Sequence, residues 1–575
     1  MKAFQIGLVG AGAISAGAYT GGVVDFLIQA LDEWESQKAG PEVPKHAIEL
    51  KVFSGSSAGG MTAAIAAGFI GSNQPHIATE ADAMDFAGQN KLFDSWVESI
   101  DIKYLLETQD LDAKKDALVS VLDSTVLSSI AGKALDISAT GSRAYIADDF
   151  QLLLTVTNLR GVPYGISLAG TGQSAHMMNL HADYMHFSFS KDGAAPVPNT
   201  YGLLWNDLAT PGAQRDLLLT TAIATGAFPV GLAPRVLSHV FSAGNSGNSY
   251  ASRLWDVSTD PEAIPHQCKV SQAIPTHFGN LPGNYQYEFV CVDGGVMNNE
   301  PLELARKVLA AGGGRNAREG DKADRAMILI DPFPSDVSFD ANTKPETDLL
   351  KSVMGMFGAL VNQARFKPDE LTLAQNEHVY SRFMIAPSRD GEKYTIACGS
   401  LGGFGGFLKR DFRAHDYFLG RRNAQKFLRD HCCLPETNPL FSGDNWAGVD
   451  RTKFYAKDAD GNFKPYLDNA GKPVLHADGS PVYLLPIIPL VGKATLPLHA
   501  PAWPTYSEDD FQQLITRVKH RAGAVLTRAA ERYLSVDSWY KKLFAKPAII
   551  YVRGKLLAFI KKTVRDDLQK RKLML

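Results

Sequence analysis

The chain has 575 residues, 45% of them hydrophobic and 21% charged, with a formal net charge of −3 and a mean hydropathy of −0.10. These values lie close to the averages for globular chains and exclude a disordered, collagen-like or polytopic membrane protein. Five cysteines (Cys268, Cys291, Cys398 and the adjacent Cys432 and Cys433) are too few and too unevenly spaced for a disulfide framework or a zinc site, so a reducing compartment is expected.

Residues 4–9 form a short β-type run that ends in a glycine-rich turn, and residues 18–34 carry helical spacing through Tyr19, Val23, Phe26, Leu27 and Leu31. Gly7, Gly10, Gly12, Gly17, Gly21 and Gly22 deny this segment the continuous apolar centre of a secretory signal, so it reads as folded structure. The same grammar recurs at once: Ile48, Leu50, Val52 and Phe53 mark a second strand, residues 55–60 a turn and residues 61–69 an alanine-rich helix. Two consecutive βα units predict an α/β fold with a mostly parallel sheet.

Residues 77–135 read as a helical cap or insertion, and 152–157, 287–292 and 326–330 as further buried strands. Helices are predicted over 349–364 and 416–428, the second opening after Asp411, Arg413 and His415. From 438 to 502 the composition shifts to Pro, Gly, Asn and Asp, and Asp460-Gly461, Ala470-Gly471 and Asp478-Gly479 separate short β-like runs. No long-range repeat of the solenoid kind is evident. The expected division is an α/β catalytic unit over 1–435, a hairpin-rich excursion over 436–510 and a basic helical region over 511–575.

Gly55-Ser56-Ser57-Ala58-Gly59 fits G-x-S-x-G, in which a tight strand-to-helix turn exposes a serine hydroxyl and flanking Gly55 and Gly59 permit close backbone approach. Ser57 is the candidate nucleophile. A serine hydroxyl needs a base, worth on the order of 10²–10⁴ in rate. Asp293 is the best candidate: it ends the apolar run Phe289-Val290-Cys291-Val292, and Gly294 and Gly295 leave open space beside its carboxylate. The same Asp-Gly-Gly also suits an ordinary turn.

The first glycine loop, from Gly10 to Tyr19, has two readings. A dinucleotide fingerprint, which would make the chain a nucleotide-binding oxidoreductase, wants an acidic residue at the end of the next strand, and that strand ends in Phe53-Ser54-Gly55. The favoured alternative is an oxyanion hole whose amides face charge developing at Ser57.

These segments together, a glycine-rich loop near the N-terminus, a G-x-S-x-G elbow and Asp293-Gly294-Gly295, resemble the pattern of the patatin-like phospholipase family. The resemblance runs over about 5–70 and 215–305, more loosely to about 430, and not beyond. The stretch Ala222-Ile223-Ala224-Thr225-Gly226-Ala227-Phe228-Pro229 is similar to the small-residue helix and turn that the family carries before its aspartate, and residues 411–421 look like a segment of bacterial members. It implies a Ser57–Asp293 catalytic dyad without histidine, Gly10, Gly12 and Ala13 as oxyanion donors, and a patatin-like central sheet flanked by helices. The implied reaction is hydrolysis of a glycerolipid or other fatty-acyl ester through an acyl-enzyme, of phospholipase A, lysophospholipase or lipase type; transfer to another alcohol would use the same parts. The family's loop usually reads G-G-G-x-R/K-G, whereas here Ala11 and Ala16 replace the central glycine and the basic residue. His378 and His415 come after Asp293 in the order that a three-residue site would require, but neither lies in a distinctive loop. No metal or cofactor site is expected.

The charge is unevenly spread. Residues 517–575 carry 16 Lys and Arg against 4 Asp and Glu, a local +12 that leaves −15 elsewhere. Within residues 548–568, Ile549, Val552, Leu556, Phe559, Ile560 and Val564 recur at helical spacing among Arg553, Lys561, Lys562 and Arg565. Such a cationic amphipathic helix suits either an anionic membrane surface or the flank of the catalytic unit. A catalytically dead member acting as a membrane-binding module is a further possibility. Nucleic acid is not an expected partner, since no recognised fold or interleaved aromatic groove accompanies the charge. The expected location is cytoplasmic, at most peripheral to a membrane.

Overall fold

The computed structural model describes residues 3–113, 117–167, 175–191, 193, 196–198, 200–240, 255–256, 273–274, 285–310, 316–334, 359, 379–389, 391–468, 470–533 and 539–574. His378, Cys268 and all but one residue of the helix expected over 349–364 lie outside this set.

Strand β1 (Phe4–Gly10) is succeeded by a 3-10 turn (Ile14–Ala16) and helix α1 (Gly17–Gln37); β2 (Ile48–Gly55) leads into α2 (Ser57–Gly71). The second helix therefore begins four residues earlier than its alanine-rich run suggests, at Ser57 itself. Short helices and turns occupy much of the chain between Glu80 and Leu135. The sheet continues through β3 (Ile146–Ser167), β4 (Ala175–Ser190), β5 (Tyr201–Leu204), β6 (Arg235–Val240), β7 (Gln286–Asp293), β8 (Arg325–Ile330) and β9 (Arg382–Ile385), interrupted by α3 (Ala213–Thr225) and α4 (Leu302–Ala310).

The main strand order is β9-β8-β1-β2-β3-β4-β5, with β7 pairing β3 and β6. β9, β8, β1, β2 and β3 run parallel, while β3 with β4, β3 with β7, and β6 with β7 are antiparallel. This is an α/β fold whose central sheet is mostly parallel and flanked by helices. Residues 326–330 of β8 read as an apolar run because both faces of the strand are covered: every residue of β8 is buried.

Helix α5 (Arg410–Asp430) packs along α1. A Cβ at Gly22 would lie 1.9 Å from the Tyr417 carbonyl oxygen, so only glycine admits this crossing. Asp411, Arg413 and His415, expected to precede the helix, are inside it; Arg413, His415, Asp416 and Arg421 are buried. Helix α1 is long and apolar enough by length and composition to cross a membrane, and 89% of that stretch is buried inside the protein.

Beyond α5, β10 (Cys433–Pro435) pairs antiparallel with β11 (Leu484–Pro486). Between them Gly461, Gly471 and Gly479 turn three tight hairpins at φ of 86°, 75° and 86°. Asp458 and Asp468 each accept two backbone N–H groups across their turns, a local repeat that the shift in composition does not disclose. Helices α6 (Glu508–Tyr533) and α7 (Trp539–Lys570) close the described chain.

Candidate active site

One strand edge brings the site together. β2 runs parallel to β3 and ends with Gly55 opposite Leu154; β7 runs antiparallel to β3 and ends with Asp293 opposite Val156. The two strands thus arrive end to end on the same edge of β3, two residues or about 7 Å apart along it. The turns that leave the two strands are therefore forced into contact, although 236 positions separate Ser57 from Asp293.

Ser57 leaves β2 with φ of 51°, in the left-handed region, and opens α2. A non-glycine residue held there costs of order 1–3 kcal/mol, and the surroundings supply the restraint. The Ser57 N–H donates to Thr225 Oγ1 at 3.0 Å. A Cβ at Gly59 would fall 2.3 Å from the Gly10 carbonyl oxygen, so the glycine lets the first turn of α2 lie on the end of β1. Gly10 itself stands in the ladder between Ile330 and Gly55, and its carbonyl accepts the Ser56 N–H at 3.1 Å.

Asp293 is fixed through its main chain and both carboxylate oxygens. Its N–H donates to the Ala227 carbonyl at 2.9 Å and its carbonyl accepts from Thr157 Oγ1 at 2.8 Å. The Gly295 N–H donates to Oδ1 at 2.7 Å, and the Ser57 hydroxyl donates to Oδ2 at 2.7 Å. Burial pushes the Asp293 carboxyl up to about 6, a rise held in check by the Ser57 hydroxyl and the Gly295 amide. A group so placed is ionised at neutral pH yet basic enough to take a hydroxyl proton.

The glycine loop departs from expectation at two positions: Gly10, expected as an oxyanion donor, is taken up in the ladder of β1 with its neighbours, and Gly12 is engaged elsewhere. Gly12, expected as an oxyanion donor, gives its N–H to the Asn299 carbonyl at 3.1 Å, while Asn299 Nδ2 donates back to the Gly12 carbonyl at 3.4 Å. Gly12 therefore fastens the loop to the turn after Asp293. The Ala11 N–H is likewise engaged by the Ile330 carbonyl at 3.0 Å. Ala13 caps the Ile14–Ala16 turn, and its N–H has no hydrogen-bond partner among the described residues.

A cavity opens from Ser57 and Asp293 between Met61, Ile65, Ile100, Leu105, Leu127 and Leu232, with Ser95 as a further polar wall residue. Several of these walls come from the helical segment after residue 77, which the sequence locates without revealing what it encloses. Sequence reasoning also misses Thr225 as a partner of Ser57; the available signal is a hydroxyl that closes the small-residue stretch Ala222-Ile223-Ala224 at the end of α3. His415 bonds neither Ser57 nor Asp293: it is buried in α5, with Nδ1 2.7 Å from Asp416 Oδ1 and its ring edge-on to Trp503.

No family model matches the chain. Among solved structures, VipD from Legionella pneumophila is similar over 72% of this chain and 67% of that one, at 12% identity and a TM-score of 0.22, too low to carry an inference. The protein y4iI of Sinorhizobium fredii (strain NBRC 101917 / NGR234), described as uncharacterized, is 35% identical over 613 residues, taking in 98% of this chain and 81% of that protein. At that identity and coverage, the chain belongs to the same family as Sinorhizobium fredii y4iI.

Proposed function

We propose that the protein is a serine acyl hydrolase of the patatin-like type, acting on fatty-acyl esters of lipids through residues 1–435. The observation that carries this reading is the 2.7 Å hydrogen bond from the Ser57 hydroxyl to Asp293 Oδ2, formed at a left-handed strand-to-helix turn and at the mouth of an apolar cavity.

In this reading Asp293 takes the hydroxyl proton as Ser57 Oγ attacks the ester carbonyl carbon. The tetrahedral oxyanion is received by the Ala13 N–H and by the Ala58 N–H in the first turn of α2, where helix geometry leaves amides without intrahelical partners. The helix N-terminus adds positive potential at the same point. Collapse breaks the ester C–O bond, and the departing alcohol takes the proton from Asp293. The acyl group, now on Ser57 Oγ, extends into the apolar cavity. A water then gives its proton to Asp293, attacks the acyl carbon and releases the fatty acid, and the proton returns to Ser57 Oγ.

The test is labelling of the whole chain with a fluorophosphonate probe and mapping of the labelled peptide. The expected label is on Ser57, with labelling and carboxylic-ester hydrolysis both lost in Ser57→Ala. Label on another serine, or full hydrolysis by Ser57→Ala, overturns the assignment.

A further inference from the structure

Helix α7 is docked over only part of its length. Toward its C-terminal end Val564 and Leu568 are buried, and with Leu573 and Met574 beyond it they join Phe412, Phe511 and Leu514 in one apolar cluster. The Asp567 carboxylate accepts the Leu401 N–H at 2.8 Å, and Trp503 Nε1 donates to the Arg571 carbonyl at 3.1 Å. The preceding turns behave differently: Tyr551 is 66% exposed, Val552 48%, Leu556 37% and Phe559 68%.

Val552, Leu556 and Phe559 stand at i, i+4 and i+7, so they share one face of the helix. Lys555 lies beside that stripe with its ammonium 5.7 Å from the Tyr551 ring, and Lys546, Lys561 and Lys562 are exposed. From residue 539 to 565 the sequence holds no acidic residue. An apolar stripe bordered mostly by cations, with Glu508 of α6 the carboxylate facing Arg565 and Lys561, matches the interfacial depth and negative potential of an anionic bilayer leaflet, and is poorly matched to a second copy of itself, whose like charges would repel.

The helix is tied to the mouth of the apolar cavity. α6 packs against α7, and its buried Arg521 donates to the Val121 carbonyl at 2.8 Å and forms an ion pair with Asp110. Leu122, next in the chain, lines the cavity. Val121 also donates its N–H to the Val230 carbonyl at 2.8 Å; Val230 is 76% exposed and, though β-branched, held at φ of 69°. The loop that walls the cavity is thus the loop to which the helix pair is anchored.

From this arrangement we infer that α7 docks the protein on an anionic lipid surface through Val552, Leu556 and Phe559 and the lysines beside them. The inference rests on the lipid-hydrolase reading for its purpose, though not for its test. The full-length Ser57→Ala protein is co-sedimented with phosphatidylcholine vesicles, with and without phosphatidylglycerol. Binding is expected to the anionic vesicles, weakened about fivefold by each of Lys555→Gln, Lys561→Gln and Lys562→Gln at low salt, and lost in the double variant Leu556→Gln, Phe559→Gln. In the Ser57-containing chain the double variant should hydrolyse a soluble short-chain ester normally and vesicle lipid slowly. Unchanged vesicle binding by the double variant, or a dimer in solution that it dissociates, overturns the inference. Vesicle binding that tracks the lysines in a chain with no esterase activity supports docking and overturns the hydrolase reading instead.

Discussion

Two buried carboxylates, one on a helix and one at the end of a strand, carry opposite electrostatics. Asp25, on α1, and Asp293, closing β7, are both withdrawn from solvent. Burial pushes each toward protonation. At Asp25 this is overcome by the Arg421 charge, by His76 Nδ1 at 2.6 Å and by the Tyr417 hydroxyl at 2.7 Å, and its carboxyl is held below the usual range. Asp293 receives only a hydroxyl and an amide, and its carboxyl rises to about 6. The difference is the presence of a cation: a paired carboxylate is locked in its charged form and serves as a structural rivet, whereas an unpaired one keeps a proton affinity that chemistry can use.

The contrast is broken most severely by deleting the functional group. Ser57→Ala and Asp293→Asn should each lower ester hydrolysis by about 10⁴-fold or more, measured as turnover of a chromogenic ester. Removing the rivet should act on stability instead: Asp25→Ala leaves Arg421 buried without its partner and should cost about 3–5 kcal/mol in urea unfolding at pH 7.

The two sites should also respond oppositely to pH. Asp25, with a depressed carboxyl, contributes stability above the unfolded value of 3.8 that is lost as pH falls through its folded value. Asp293, with a raised carboxyl, favours the folded state at low pH, and that contribution is lost as pH rises from 3.8 through about 6. Asp293→Asn should therefore stabilise the protein by up to about 3 kcal/mol at pH 8 and by almost nothing near pH 4, an inactive variant with a higher melting temperature. The wild-type rate should fall below about pH 6, tenfold per unit, as Asp293 takes up its proton. The smallest effect is expected at His415→Ala, which should leave most of the esterase activity, since His415 touches neither partner of the Ser57–Asp293 bond.

The parts of the fold that can be read from sequence are those whose environment is uniform along the chain. β1 and β8 are buried along almost their whole length and appear as apolar runs, while β2 shows itself by the alternation of Ile48, Leu50 and Val52 with Glu49 and Lys51. Ser57 is legible because a tight turn admits only small neighbours, and Asp293 because glycines come directly after an apolar strand. β4 escapes notice because only its alternation of Met185, Phe187 and Phe189 with His186 and Ser188 marks it, a weaker signal than an apolar run. The start of α5 is misplaced from sequence because Arg413 looks like a surface residue until its partner on another element, the Val97 carbonyl, is known. The engagement of Gly12 by Asn299 depends on a contact across 287 positions, which no local pattern encodes.

The end-to-end arrival of β2 and β7 on β3 has a consequence during synthesis. In a nascent chain Ser57 emerges 236 positions before Asp293, whose strand must then find one short stretch of the β3 edge. Until then the hydroxyl is no more nucleophilic than any other serine. Under the acyl-hydrolase reading proposed above, the chain is inert on the ribosome and gains its activity only when the sheet is complete.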